Sequence, residues 1–197
     1  LPFGVDVLHG YELTDKFATV TKVDETGHNI LELNGKEPIA EYCRLLGIKK
    51  DKYLKDPSEY SLTRPFGVIS LYGKTYVKEA LPNEDNKTFH STLKTGENTV
   101  VNIMKLNEKK LHNDFPDLIK EVSKNGDVGL MLVSSCCTRR YLMGDDVYDV
   151  EKKSQDVSKK VPYFGAFVFS ELGSTKTSRA MVHGESVTVL YLLDKLF

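Results

Sequence analysis

Long apolar runs are missing from this 197-residue chain. The longest, Val187 to Leu193, falls far short of the roughly 20 residues a helix needs to cross a bilayer, so no membrane is expected as a partner. Charge imbalance is missing as well, with 27 basic residues against 28 acidic ones. Without a global field of either sign, neither nucleic acid nor an anionic surface is expected to bind. Cysteine is scarce: Cys43, Cys136 and Cys137 make a poor disulfide framework. Adjacent residues have Cα atoms about 3.8 Å apart, closer than ordinary disulfide geometry allows. A reducing, cytoplasmic setting is therefore expected. Leu1-Pro2-Phe3 offers neither the charged leader nor the apolar segment of a secretory signal. No initiator Met is present, so the chain is expected to be a piece of something longer. Metal and nucleotide motifs are absent too. No His-x-x-x-His or Cys-x-x-Cys pair supports zinc, and no Gly-x-Gly-x-x-Gly or P-loop supports a nucleotide.

The composition, 40% apolar and 28% charged, is that of an ordinary globular protein, and the length fits one domain or slightly more. Phe17 to Val23 and Ile30 to Leu33 read as two strands around a Thr26-Gly27 turn, with Asn34-Gly35 as a second turn. Pro38 to Leu46 reads as a short helix, with Pro near its start and Gly47 just past its end. Ile48 to Tyr60, rich in Lys and Asp, reads as a boundary or surface excursion. Strands are predicted at Phe66–Tyr72, Thr75–Ala80, Thr88–Leu93 and Asn98–Met104. They should run antiparallel, because the intervals are too short for crossover helices. A helix is predicted over Asn107–Lys124, with Phe115, Leu118, Ile119 and Val122 on one face and Asn125-Gly126 as the stop. Val128–Ser135 reads as a strand buried on both faces, and about Cys137 to Met143 as a second helical stretch. Lys152–Lys160 reads as charged and exposed, while Tyr163–Ser170 and Ser186–Leu193 close the chain as core strands. The predicted class is α+β, a mainly antiparallel sheet with helices packed on its faces.

The strongest chemical signal is Val133-Ser-Ser-Cys-Cys-Thr-Arg-Arg-Tyr-Leu-Met-Gly144, where a buried strand enters a helix bearing two arginines. Helix N-termini bind anions readily, and Arg139 adds a bidentate grip on a carboxylate. The plainer reading is that Ser134 or Ser135 caps the helix while the arginines pair at the surface. Cys136 admits a nucleophile reading, with His183 as base and Glu171 orienting the ring, although small buried cysteines are common core residues. His183, before a core strand, reads as a ligand contact, an axial haem ligand, or a turn histidine bonded to a carbonyl.

These residues resemble, in order, the signatures of the FIST sensory domain family. Cys136-Cys-Thr-Arg139 with Gly144 is similar to the "Cys-x-x-Arg…Gly" element of its C-terminal part. Val161 to Glu171 resembles the "P…Gly-Phe…Gly-Glu" segment, and Val182 to Thr188 the closing "His-Asn-x-Thr" strand. His9-Gly10-Tyr11 resembles "His-Gly-Trp", Phe17 to Thr21 the "Val-Thr" strand, and Leu33 to Gly47 the "Leu-Asp-Gly-x-x-Ala…Tyr…Leu-Gly" element. Four positions depart from the pattern: Ser170 and Leu172 on either side of Glu171, Gly184 in place of the asparagine, and Lys78 in place of an arginine.

The resemblance implies residues 1–50 as the trailing part of the family's N-terminal half and 51–197 as its C-terminal domain. It also implies an intracellular, non-enzymatic input domain that senses a small molecule such as an amino acid and passes the signal to an output domain or partner protein. Its ligand would sit near Ser135, Cys136, Arg139, Glu171 and His183, with Arg139 pairing an acidic group and Glu171 accepting from an ammonium or fixing Arg139. No cofactor is expected under this reading. Two alternatives stand beside it: a haem-binding nitric-oxide sensor with His183 as an axial ligand, and a docking module without a ligand.

Overall fold

The computed structural model describes residues 3–70, 73–124, 128–158, 161–173 and 181–193. Strands β1 (Phe3–Leu8), β2 (Tyr11–Val23) and β3 (Asn29–Leu33) lead into helices α1 (Pro38–Leu46), α2 (Lys50–Lys55) and α3 (Pro57–Thr63). Five strands follow: β4 (Phe66–Ile69), β5 (Thr75–Lys78), β6 (Ala80–Pro82), β7 (Phe89–Ser91) and β8 (Thr99–Leu106). Next come α4 (Glu108–Lys124), β9 (Val128–Cys136), α5 (Cys137–Met143) and α6 (Asp146–Val157). Strands β10 (Tyr163–Val168), β11 (Glu171–Gly173), β12 (Met181–His183) and β13 (Val187–Leu193) complete the described chain. The class is α+β. It divides into two compact units, one of Glu12–Leu106 and the other of Leu1–Tyr11 with Asn107–Phe197.

The Glu12–Leu106 unit carries a seven-stranded sheet in the order β5-β4-β8-β2-β3-β7-β6. The turn between β2 and β3 forms because the Asp24 carboxylate accepts from the Thr26 hydroxyl and from both the backbone and side-chain N–H groups of Asn29. These bonds hold the Asp24 carboxyl well below the usual carboxylate range. Helix α1 starts on Pro38 and stops on Gly47, whose φ of 74° is the left-handed value that favours glycine. Its Tyr42 ring meets Tyr53, Phe66 and Phe89 edge-on at centroid distances of 5.4–5.6 Å. Tyr53 is fully buried in that core, so the Lys/Asp-rich stretch from 48 to 60 is not a boundary. Two short helices there drop one aromatic each into the core while their charged residues stay outside.

The other unit carries a four-stranded sheet in the order β1-β13-β9-β10 and a β11–β12 hairpin. Among the described residues its pairings are antiparallel except β9 with β10, which α5 and α6 connect as a crossover. Met131, Val133, Val187 and Val189 alternate onto one face of the sheet and pack with Ile119 and Val122 of α4. On the opposite face Val5, Leu190, Leu132 and Phe164 stand in register across the four strands. That face is partly open, with Leu132 40% and Phe164 72% exposed, so β9 is buried on one face and not on two.

Other expectations also change. Tyr163–Ser170 is not a core strand: β10 forms the edge of the sheet, and beyond its end Phe169 is 90% exposed. Lys152 and Lys153 are exposed as expected, but they belong to α6, which buries Val147, Val150 and Ser154 at helical spacing. Strand β1, which no local pattern announces, pairs along its whole length with β13. The expected stop at Asn125-Gly126, the end of the strand at Leu71-Tyr72, and Lys159-Lys160 lie outside the described residues. No helix among the described residues is long and apolar enough to cross a membrane.

Candidate functional site

The site is built where β9 gives way to α5. Cys136 is the N-cap residue, with extended dihedrals, so neither Ser134 nor Ser135 caps the helix. One turn of α5 then carries Arg139 inward, where only 2% of it is exposed. The surface-arginine reading therefore fails for Arg139. It suits only Arg140, which bonds the Gly144 carbonyl and lies over the Tyr148 ring.

Arg139 is tied at one point. Its Nη2 donates to the Leu111 carbonyl of α4 at 3.0 Å. Nε and Nη1 have no hydrogen-bond partner among the described residues. A buried donor left unmade costs about 1–3 kcal/mol, and more when charged. Burial lowers the guanidinium's pKa, while Asp114, Tyr11, Cys136 and Glu171 oppose the shift by stabilising its charge.

Glu171 opens β11 and is fully buried. The Ser186 hydroxyl donates to its Oε2 at 2.8 Å, whereas Oε1 has no hydrogen-bond partner among the described residues. Burial pushes its carboxyl up to about 7, against bonds from Ser186 and Cys136 and the attraction of Arg139. The Asp114 carboxyl is likewise raised by burial, and its Oδ2 is unpartnered among the described residues.

His183 stands opposite Glu171 in the β11–β12 register. Its Nε2 lies 3.3 Å from the Gly173 carbonyl oxygen, and burial lowers its pKa. This is the turn histidine bonded to a carbonyl. Burial also raises the Cys136 thiol, whose partners are Thr138, Glu171 and Glu185 and not the imidazole. A nucleophile needs the opposite shift and a base within reach.

A cavity of about 480 Å³ opens beside this polar group, under β9 and β10 and against α5 and α6. Ser135 and Arg139 line it, whereas Cys136, Glu171 and His183 do not. The five sequence-predicted residues thus divide in two. Arg139 belongs to both parts, through the cavity wall and through its electrostatic coupling to Glu171 and Cys136.

Four residues escaped the sequence reading as site members: Tyr11, Asp114, Glu185 and Ser186. Burial raises the Tyr11 hydroxyl well above its ordinary range, and its hydrogen-bonding neighbour Glu185 adds to the shift. Glu185 is 1% exposed and sits at φ 53°, a left-handed conformation that is strained for a residue with a side chain. The available signal was Gly184-Glu185-Ser186, a charged residue between two small ones just ahead of a strand. Gly173 fixes the hairpin that delivers these groups. A Cβ there would stand 2.7 Å from Val7 Cγ2 and 3.1 Å from Thr188 Cγ2, so only glycine lets β11 lie this close to β1 and β13.

Haem does not fit this arrangement, since His183 is engaged with Gly173 and is not among the cavity's lining residues. Among the described residues no group of three or more His, Cys, Asp and Glu side chains is arranged to hold a metal ion. The family model for the FIST C domain matches residues 38–174, which takes in β9, α5 and Glu171. No curated protein and no solved structure matches the chain.

Proposed function

Given that the chain belongs to the FIST C domain family, a sensory-type domain of signalling proteins, we propose that it is a non-enzymatic input domain that binds a small ligand such as an amino acid at Arg139. One observation carries this reading. Arg139 and Glu171, both fully buried, keep hydrogen-bonding atoms with no partner among the described residues: Nε and Nη1 on the cation, Oε1 on the acid. Burying ionised groups without partners is among the most costly arrangements a fold can hold. A ligand carboxylate accepts from an unpartnered guanidinium nitrogen, Nε or Nη1, and a ligand ammonium donates to Glu171. Both ions are then satisfied by one zwitterion.

The raised thiol of Cys136 supports a binding role over thiol catalysis. The ligand becomes a signal only where it prefers one conformation of the domain, and an output domain or partner protein would read that preference. The test is calorimetric titration of the common L-amino acids into the full chain and into Arg139→Met, which keeps the stem and removes the charge. Saturable binding to the native chain that is lost in the variant is the expected result. Equal binding to both, or binding to neither, overturns the reading.

A further inference from the structure

Arg139 and Glu171 define only the polar end of a ligand, and the cavity beside them defines its body. The deep walls are apolar: Val133, Met143, Val147, Val150, Val161 and Val187 are each 9% exposed or less. The polar lining residues separate by depth. Arg139 and Ser158 are buried and Ser135 half-buried, whereas Glu151 and Gln155 of α6 are exposed at the rim. Arg139 is the one cation among the described lining residues.

Size points the same way as polarity. A cavity of roughly 150 Å³ lined by aliphatic and aromatic groups already admits benzene. At about 480 Å³, this one holds a ring or branched chain together with the atoms that reach Arg139. A ligand without an apolar body would leave these walls facing trapped water. A ligand with a second carboxylate would bury that charge against valines, with no second cation among the described lining residues to meet it.

We infer that the ligand is a carboxylate with a bulky apolar body, the carboxylate on Arg139 and the body in the cavity beneath β9 and β10. The inference rests on the binding reading above and narrows it to a chemical class. That class has two sources, α-amino acids with aromatic or branched side chains and plain carboxylic acids of the same shape. The unpartnered Oε1 of Glu171 bears on the first source alone, because only an amino acid brings an ammonium.

The experiment titrates the full chain with L-phenylalanine, L-leucine, 3-phenylpropionate, glycine, L-aspartate, L-arginine and phenethylamine. Burial of the apolar body should make phenylalanine or phenylpropionate bind roughly 10- to 100-fold more tightly than glycine or aspartate. The ratio between those two assigns the source: a preference for phenylalanine means that the ammonium is read, and parity means that it is not. Glycine, aspartate or arginine binding as tightly as phenylalanine overturns the inference and leaves a general amino-acid site at Arg139. Phenethylamine matching phenylalanine overturns the carboxylate anchor. No binding by any carboxylate removes the underlying reading and this inference with it. A second arm fills the cavity with Val150→Phe, which should weaken phenylalanine or phenylpropionate at least tenfold. An unchanged affinity in a folded variant places the body elsewhere and overturns the inference. If that variant does not fold, the ligand series on the native chain decides alone.

Discussion

Replacing Arg139 by Met separates a ligand-holding arginine from a structural one, because the two roles predict opposite changes in stability. In the native chain Arg139 makes a single charge-assisted bond, to Leu111, worth about 1.5–3 kcal/mol. Against it stand two buried N–H groups without partners, each costing roughly 1–3 kcal/mol. Methionine fills the aliphatic path of the stem. It removes the bond and the two unmet donors together, leaving the Leu111 carbonyl with one donor fewer. Glu171 loses its cation, yet a carboxyl that titrates at about 7 protonates at neutral pH with almost no cost. The balance lies between no change and about 3 kcal/mol of added stability. For a chain of this length that is a rise in Tm of about 0 to 10 °C, read by thermal denaturation at pH 7. Ligand affinity should fall by at least about 30-fold, the smaller end of what truncating a buried charge pair costs. A fall in Tm of more than about 6 °C would refute the reasoning, because breaking a structural ion pair with Asp114 or Glu171 costs about 3–5 kcal/mol.

Glu171→Gln should stabilise the protein in a pH-dependent way. The native carboxyl is raised from 4.5 to about 7, so the folded state binds more protons between those values and native stability falls as pH rises through that window. The variant lacks that slope, and its advantage in chemical denaturation should be absent near pH 4 and reach up to roughly 3 kcal/mol by pH 8. A parallel pair of stability–pH curves would refute the assignment. Gly173→Ala should lower stability by about 1–3 kcal/mol, because its methyl group meets Val7 and Thr188; a neutral result means that the hairpin shifts freely. Iodoacetamide at neutral pH should modify half-buried Cys137 before Cys136 and Cys43, both buried and with thiols raised by burial. Mass spectrometry of early time points checks the order, and Cys136 reacting first would return it to the candidate nucleophiles.

Much of the architecture was legible because local rules acted without competition. Pro38 and Gly47 bracket α1, Phe115 to Val122 give α4 its apolar face, and the strands from Phe66 to Met104 lie too close together for anything but antiparallel pairing. Failures came where tertiary contacts outvoted composition. Tyr53 looks like one aromatic in a charged stretch until three other rings close around it. Tyr163 to Phe169 has the residues of a core strand, yet its place at the sheet edge leaves two of its phenylalanines mostly exposed, and no local pattern encodes strand order. The site divides along the same line. Motif order singled out Arg139, Cys136 and Glu171 but said nothing of the cavity, one wall of which is α6, whose last residues read as charged surface.

Under the proposed binding reading, position in the chain also gives such a site a route to sensing. Arg139 rides on α5, Glu171 opens the β11–β12 hairpin, Glu185 and Ser186 turn from β12 into β13, and Tyr11 begins β2. These residues are spread widely along the chain, so nothing but tertiary structure holds them together. Each unpartnered atom in the group penalises the arrangement in which all of them are buried, and that penalty is relieved when a ligand supplies the missing bonds. The ligand's stabilisation therefore acts selectively on conformations in which α5 and the hairpin lie against each other, which is the differential affinity that population shift requires. Its size is bounded by the same unmade bonds, three atoms on Arg139 and Glu171 at about 1–3 kcal/mol each. Even the lower end of that sum shifts a two-state equilibrium more than tenfold. A domain whose site was fully satisfied without ligand would gain little by binding and would have nothing to report.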